Sequence, residues 1–212
     1  MLSMPYLTDA ENVDIDAEIT ESDLQAERER TPDASEDAVE YTAIYRKICT
    51  EMLNYNAFLM HSSAVVLDGQ AYAFTAPSGT GKSTHTSLWI KHFGRERAFI
   101  VNDDKPIVRF INGEYRLYGT PWSGKTNTNK NTSAPLKAVC FVHRSENNSI
   151  SPKDPQTALL PILSQLYRPY EKSYTMKFFD ELDRFLATVK FYDLYCNMSL
   201  DAAQTAYDGM KD

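Results

Sequence analysis

Three cysteines in a chain of 212 residues, Cys49, Cys140 and Cys196, are too few and too far apart for a disulfide framework. None stands in C-x-x-C spacing, which also excludes a zinc ribbon. Reduced thiols in a cytoplasmic protein are expected. Long apolar runs are missing as well: no segment approaches about 18 consecutive apolar residues. The opening MLSMPYLTDAENVD has neither a basic region nor an apolar stretch of signal-peptide length. A soluble, non-secreted protein without a membrane partner is the reading. Internal repeats and low-complexity linkers are absent, so one domain of ordinary size is expected behind an N-terminal segment. His85, His92 and His143 lack cysteine or carboxylate neighbours at metal-ligand spacing, which makes them structural. No N-K-x-D motif is present, which argues against a GTPase.

What charge there is lies unevenly. The net charge is -7, yet residues 1–40 hold 13 Asp and Glu against 2 Arg, and the remaining 172 residues carry a net of +4. A mildly basic body suits an anionic ligand such as a nucleotide. The basic residues are scattered, so no nucleic-acid partner is expected.

The acidic segment, residues 1–40, reads as a strand plus short helix or as a partly disordered tail. Val13, Ile15, Ala17 and Ile19 alternate with Asp14, Asp16 and Glu18, the period of a half-buried strand. Residues 41–212 form the expected main domain. Tyr41, Ile44, Ile48 and Met52 recur at helical steps, predicting a helix over 37–54 behind the turn and cap residues of TPDASED. Asp68-Gly69 and Asn112-Gly113 each sit between apolar, β-rich runs, a hairpin signal because both central residues of a type I′ turn need positive φ. Strands are expected at 137–143 and 191–196 and helices at 156–166 and 176–189, with a short terminal helix. The fold class is therefore mixed α/β with a largely antiparallel sheet.

The stretch APSGTGKSTHTSLW follows the first hairpin directly. A phosphate cradle needs turned backbone N–H groups, glycines for close approach, a lysine for the β and γ phosphates and a hydroxyl for Mg²⁺. Ser78, Gly79, Thr80, Gly81, Lys82, Ser83 and Thr84 meet these needs as a nucleotide-binding set, and the helix expected over 84–92 points its positive end at the same place. Ala76 replaces the first glycine of the usual G-x-x-x-x-G-K-[ST] pattern. That position can take an extended entry, because the residue before Pro77 is pushed to the β region in any case. Twenty-one residues beyond Lys82, the buried-strand run AFIV ends in Asn102, Asp103 and Asp104. One aspartate would hold Mg²⁺ with Ser83 and the other would act as base, strand alternation pointing them to different faces. Which does which stays open. Arg144, at a strand end, could neutralise phosphoryl charge. In GTPWSGKTNTNKNTS, Trp122, Lys125 and Lys130 form a candidate substrate loop.

His61 in FLMHSSAVVLDGQAYAF, then PSGTGKST, then IVNDD together resemble the core of the HPr kinase/phosphorylase family and the related ATP-dependent phosphoenolpyruvate carboxykinases. More closely, YTAIYRKIC, DKPIVR, YGTPWSGK, SAPLKAVCF and CNMSLDAA are similar to a group of bacterial HPr-kinase-like proteins of unassigned substrate. The resemblance implies a P-loop entered from a hairpin, with ATP and Mg²⁺ as cofactors. It makes His61 a residue near the acceptor, and it is compatible with an oligomer. The family's His-Gly is His61-Ser62 here, and neither the HPr-binding C-terminal signature nor the carboxykinase arginine loops are present. The expected function is a kinase that transfers the γ-phosphoryl of ATP to a hydroxyl of a small molecule, peptide or protein. The alternative is a nucleotide-binding regulatory or scaffold module that works with a partner and transfers nothing.

Overall fold

The computed structural model describes residues 4–212. Residues 1–3 of the acidic segment lie outside that range.

Helix α1 (Glu21–Arg30) is set by a capping box: Thr20 accepts from the Asp23 backbone N–H, while the Asp23 side chain accepts from Thr20 N–H. Helix α2 (Glu36–Glu51) begins at the Ser35 cap and runs into a 3-10 turn, Met52–Tyr55. The strand expected over 13–19 does not form. Ile15, Ala17 and Ile19 are half-buried between exposed Asp14, Asp16 and Glu18, so the alternation holds over that stretch. Val13 is exposed, however, and among the described residues no ladder partner lies beside the run. The period reports a face laid on the surface of the domain, and pairing was the part it could not show.

Nine strands follow in a curled sheet. β1 (Ala57–Leu59), β5 (Ile107–Ile111) and β6 (Glu114–Tyr118) lead antiparallel into the long β7 (Ser133–Arg144). The second half of β7 pairs in parallel with β3 (Gln70–Thr75) and β9 (Lys190–Cys196). The remaining pairs are antiparallel: β2 (Ser63–Leu67) lies between β3 and β4 (Ala98–Asn102), and β8 (Ser149–Lys153) lies on β9. Both hairpins turn as the sequence requires, with φ of 48° and 82° at Asp68-Gly69 and 54° and 84° at Asn112-Gly113.

The central strands divide their side chains between two cores. Tyr72 and Phe74 of β3, with Cys140 of β7, pack on α3 (Lys82–Phe93) and α6 (Leu200–Met210). Ala71, Ala73, Val139 and Phe141 pack on the other face, against α4 (Pro155–Leu163) and α5 (Thr175–Thr188). Burial on both faces explains why these strands read as continuous apolar runs. The three cysteines are free and buried. Among the described residues no helix is long and apolar enough to cross a membrane.

His85 on α3 is a buried neutral base. Its Nε2 accepts from Trp89 Nε1 at 3.0 Å, and burial pushes its pKa down to about 4. A base whose folded pKa is depressed leaves the unfolded chain holding the extra proton between about pH 6.5 and pH 4, so stability falls as pH falls through that window. We expect a loss on the order of 3 kcal/mol there by urea unfolding. The loss should be largely absent in His85→Gln, and a wild-type curve parallel to the variant's would refute this origin.

Candidate functional site

The turn after β3 opens over a cleft of about 590 Å³, and the cleft is built from three loops. The first is the glycine-rich loop. Gly79 and Gly81 take φ of 80° and 124°, conformations an L side chain resists, and α3 begins at Lys82 immediately after. Ala76 has no positive φ and is buried within the α3-side core. A methyl in place of the first glycine is therefore accommodated. Ser78, Gly79, Gly81, Lys82, Ser83 and Thr84 all line the cleft, while Thr80 turns away and bonds the Pro77 carbonyl. The Lys82 ammonium is folded back onto the Ala76 carbonyl at 2.9 Å. Burial lowers its pKa, and the nearby Asp104 and Asp103 charges work against that shift.

The second loop follows β4. Asn102 Oδ1 accepts from the backbone N–H groups of Asp104 (2.9 Å) and Lys105 (2.7 Å), so its side chain folds the turn that presents both aspartates. The expectation that strand alternation would separate Asp103 and Asp104 is corrected by this turn. β4 ends at Asn102, both carboxylates lie beyond the pleat, and both line the same cleft. They differ in their partners. Asp103 is buried and accepts hydroxyls from Ser63 (2.5 Å) and Thr126 (2.7 Å); Ser63 in turn meets Thr86 of α3 at 2.7 Å. Asp104 is half-buried, 3.3 Å from His61 Nε2 and 3.0 Å from Lys105 Nζ. Burial acts to raise its pKa, but the hydrogen bonds from His61 and Lys105 outweigh burial and hold it at about 2.

The third loop runs from Gly119 to Thr132. Gly124 takes φ of 64° and backs onto Asp104, whose Cβ would lie 3.0 Å from any added methyl. This brings Lys125 and Thr126 to the cleft. Trp122 and Lys130 do not line it. Trp122 packs edge-on against Tyr45 at 5.0 Å, and the Lys130 ammonium sits 4.2 Å above the Phe99 ring.

Arg144 does not line the cleft either. Its guanidinium donates to the carbonyls of Thr80, at 3.0 Å, and Gly79, so it braces the glycine-rich loop from the other side. There it borders a cavity of about 480 Å³ walled by Leu88, Val142 and Met198. Sequence reasoning missed Ser63, Lys105 and Thr126. Ser63 and Thr126 are single hydroxyls without a periodic signal, and only the fold brings them to Asp103. Lys105, in contrast, directly follows Asp104 and could have been read from that adjacency. The Asn102 side chain was visible as the residue before the pair, and an Asx turn was the signal available.

No protein-family model matches the chain, and no curated protein does. Among solved structures the chain is similar to the HPr(Ser) kinase/phosphatase from Coxiella burnetii. The match has 13% identity and a TM-score of 0.35, covering 59% of this chain and 88% of that one. A likeness of that size carries no argument about chemistry. Fold and site together define a mixed α/β domain with a glycine-rich strand-to-helix loop facing a paired-carboxylate cleft.

Proposed function

We propose that the protein is an ATP- and Mg²⁺-dependent phosphotransferase acting on a hydroxyl acceptor. The observation that carries this reading is the meeting of Lys82, Ser83, Asp103, Asp104 and His61 in one cleft at the N-terminus of α3. Lys82 and the backbone of residues 78–84 would hold the phosphates, and α3 adds its positive end. The nucleoside would leave the loop on the Arg144 side, against Leu88, Val142 and Met198. Arg144 then acts by fixing the shape of the loop.

The residues present suit magnesium. That ion takes one or two carboxylates, phosphate oxygens and waters in place of a protein cage, and among the described residues there is no cluster of three metal-ligating side chains. Asp103 is tied through Ser63 to Thr86, one turn along α3 from Ser83, so Asp103 and Ser83 would hold the ion. When bound, it supplies charge neutralisation at the transferring phosphoryl group.

Asp104 and His61 then face the acceptor. A carboxylate with a pKa of about 2 is a weak proton acceptor. Asp104 is better suited to orient the His61 imidazole, which would receive the hydroxyl proton. Lys125, on the third loop, is placed to meet an anionic acceptor.

The test is transfer of labelled γ-phosphate from ATP into pooled hydroxyl compounds, peptides and proteins. Asp104→Asn should lower transfer on the order of 10²- to 10⁴-fold while binding of a non-hydrolysable analogue persists. Full activity in that variant would remove the assigned role. Tight binding without transfer to any pool would support the non-catalytic module.

A further inference from the structure

A second cavity, on the far side of the Gly119–Thr126 segment from the cleft, has the opposite character. It is an open hollow of about 360 Å³ between Tyr6 and Ile15 of the N-terminal segment, Ile48 of α2, Met52 of the turn after it, and Trp122. That volume falls within the range that takes a small organic ligand. Its walls are mostly aromatic and aliphatic, with one basic side chain, Arg109 of β5, among them. The Arg109 Nε is buried and has no hydrogen-bond partner among the described residues. The guanidinium stands over the Tyr55 ring at 5.9 Å. Asp14, the one carboxylate at the cavity, is exposed and engages through its backbone carbonyl, which accepts the Tyr55 hydroxyl.

Arg109 as a whole is only half-buried and makes no side-chain hydrogen bond or ion pair among the described residues. Its terminal guanidinium nitrogens, unlike the buried Nε, are therefore left for an anion in the cavity. One cation among aromatic walls matches a singly charged group on an apolar body. A doubly charged phosphate would be left half-neutralised.

We propose that this cavity is a binding site for a small aromatic carboxylate, its ring against Trp122 and Met52 and its carboxylate on the Arg109 fork. Planar, bidentate recognition is what a guanidinium offers such a group. The site stands apart from phosphoryl transfer and does not depend on it. It shares a wall with the catalytic side all the same. Thr120, which lines the cavity, donates to the Lys105 carbonyl at 2.8 Å and accepts from Asn102 Nδ2 at 3.0 Å. An occupant would therefore touch Thr120, one hydrogen bond away from the turn that presents Asp103 and Asp104.

The experiment is calorimetric titration of the full chain with benzoate, 3-phenylpropionate and indole-3-propionate, each beside its uncharged amide. At least one acid should bind about tenfold or more tightly than its amide. That preference should vanish in Arg109→Gln. Ile48→Trp, which fills the cavity and keeps Arg109, should lose both acid and amide. Circular dichroism establishes that each variant is folded. The proposal is overturned if no acid binds at millimolar concentration, if the preference survives Arg109→Gln in the folded protein, or if Ile48→Trp still binds.

Discussion

Replacing Lys82 by alanine is expected to weaken binding of a non-hydrolysable ATP analogue by one to two orders of magnitude. The ammonium is the one cation within the glycine-rich loop that lines the cleft, and it is buried there, held by the Ala76 carbonyl at 2.9 Å. A bound triphosphate would exchange that neutral partner for an anionic one. Hydrogen bonds to charged groups contribute about 1.5 to 3 kcal/mol, and each 1.4 kcal/mol is a factor of about ten in affinity. Burial already lowers the lysine's pKa, so its charged form gains more from an anion than an exposed lysine would. Isothermal titration with and without Mg²⁺ measures the effect. An affinity unchanged by the substitution would mean that the loop binds no phosphate, and the phosphotransferase reading would fall with it.

The second large effect concerns the helix that carries this loop. Trp89 is fully buried on α3, with ring centroids of Tyr72, Phe74, Phe93 and Tyr207 at 4.9, 5.5, 5.4 and 6.1 Å. Trp89→Ala removes this hub and is expected to cost about 3 to 5 kcal/mol. Against a usual total of about 5 to 15 kcal/mol, that is a large share of the stability of the domain. Trp89→Phe keeps most of the apolar body but leaves His85 Nε2 without its donor, so it should cost less than the alanine variant and more than a surface change. Urea unfolding checks both. A cost below about 1 kcal/mol for Trp89→Ala would contradict the packing role assigned here.

Some elements were legible because short-range chemistry decides them. Asp68-Gly69 and Asn112-Gly113 demand positive φ wherever they fall, and both hairpins formed as expected. The helices over 37–54 and 176–189 were readable from their periodicity, and the structure shifts their ends by only a few residues. In contrast, β1 and β8 were not anticipated. Three residues of AFL and five of SISPK are too short to show a period, and they are strands because β5 and β9 offer free edges. The alternating run at 13–19 shows the reverse case: a strand-like pattern without a partner strand.

The same division runs through the site. Residue types alone marked residues 78–84 and the Asp103-Asp104 pair, because an anion cradle and a paired carboxylate need those groups in close succession. The sequence by itself also determined the hairpin turns and the uneven charge. Only the tertiary structure decided that both aspartates enter one cleft and that Arg144 braces the loop from behind. It likewise decided that Trp122 leaves the cleft to wall the Arg109 cavity, and that Ser63 and Thr126 clamp Asp103. These outcomes depend on contacts between residues far apart in the chain: Ser63 to Asp103 spans 40 positions and Gly79 to Arg144 spans 65. A local pattern records which side chains a segment can offer, and the packing of the whole sheet fixes which of them meet.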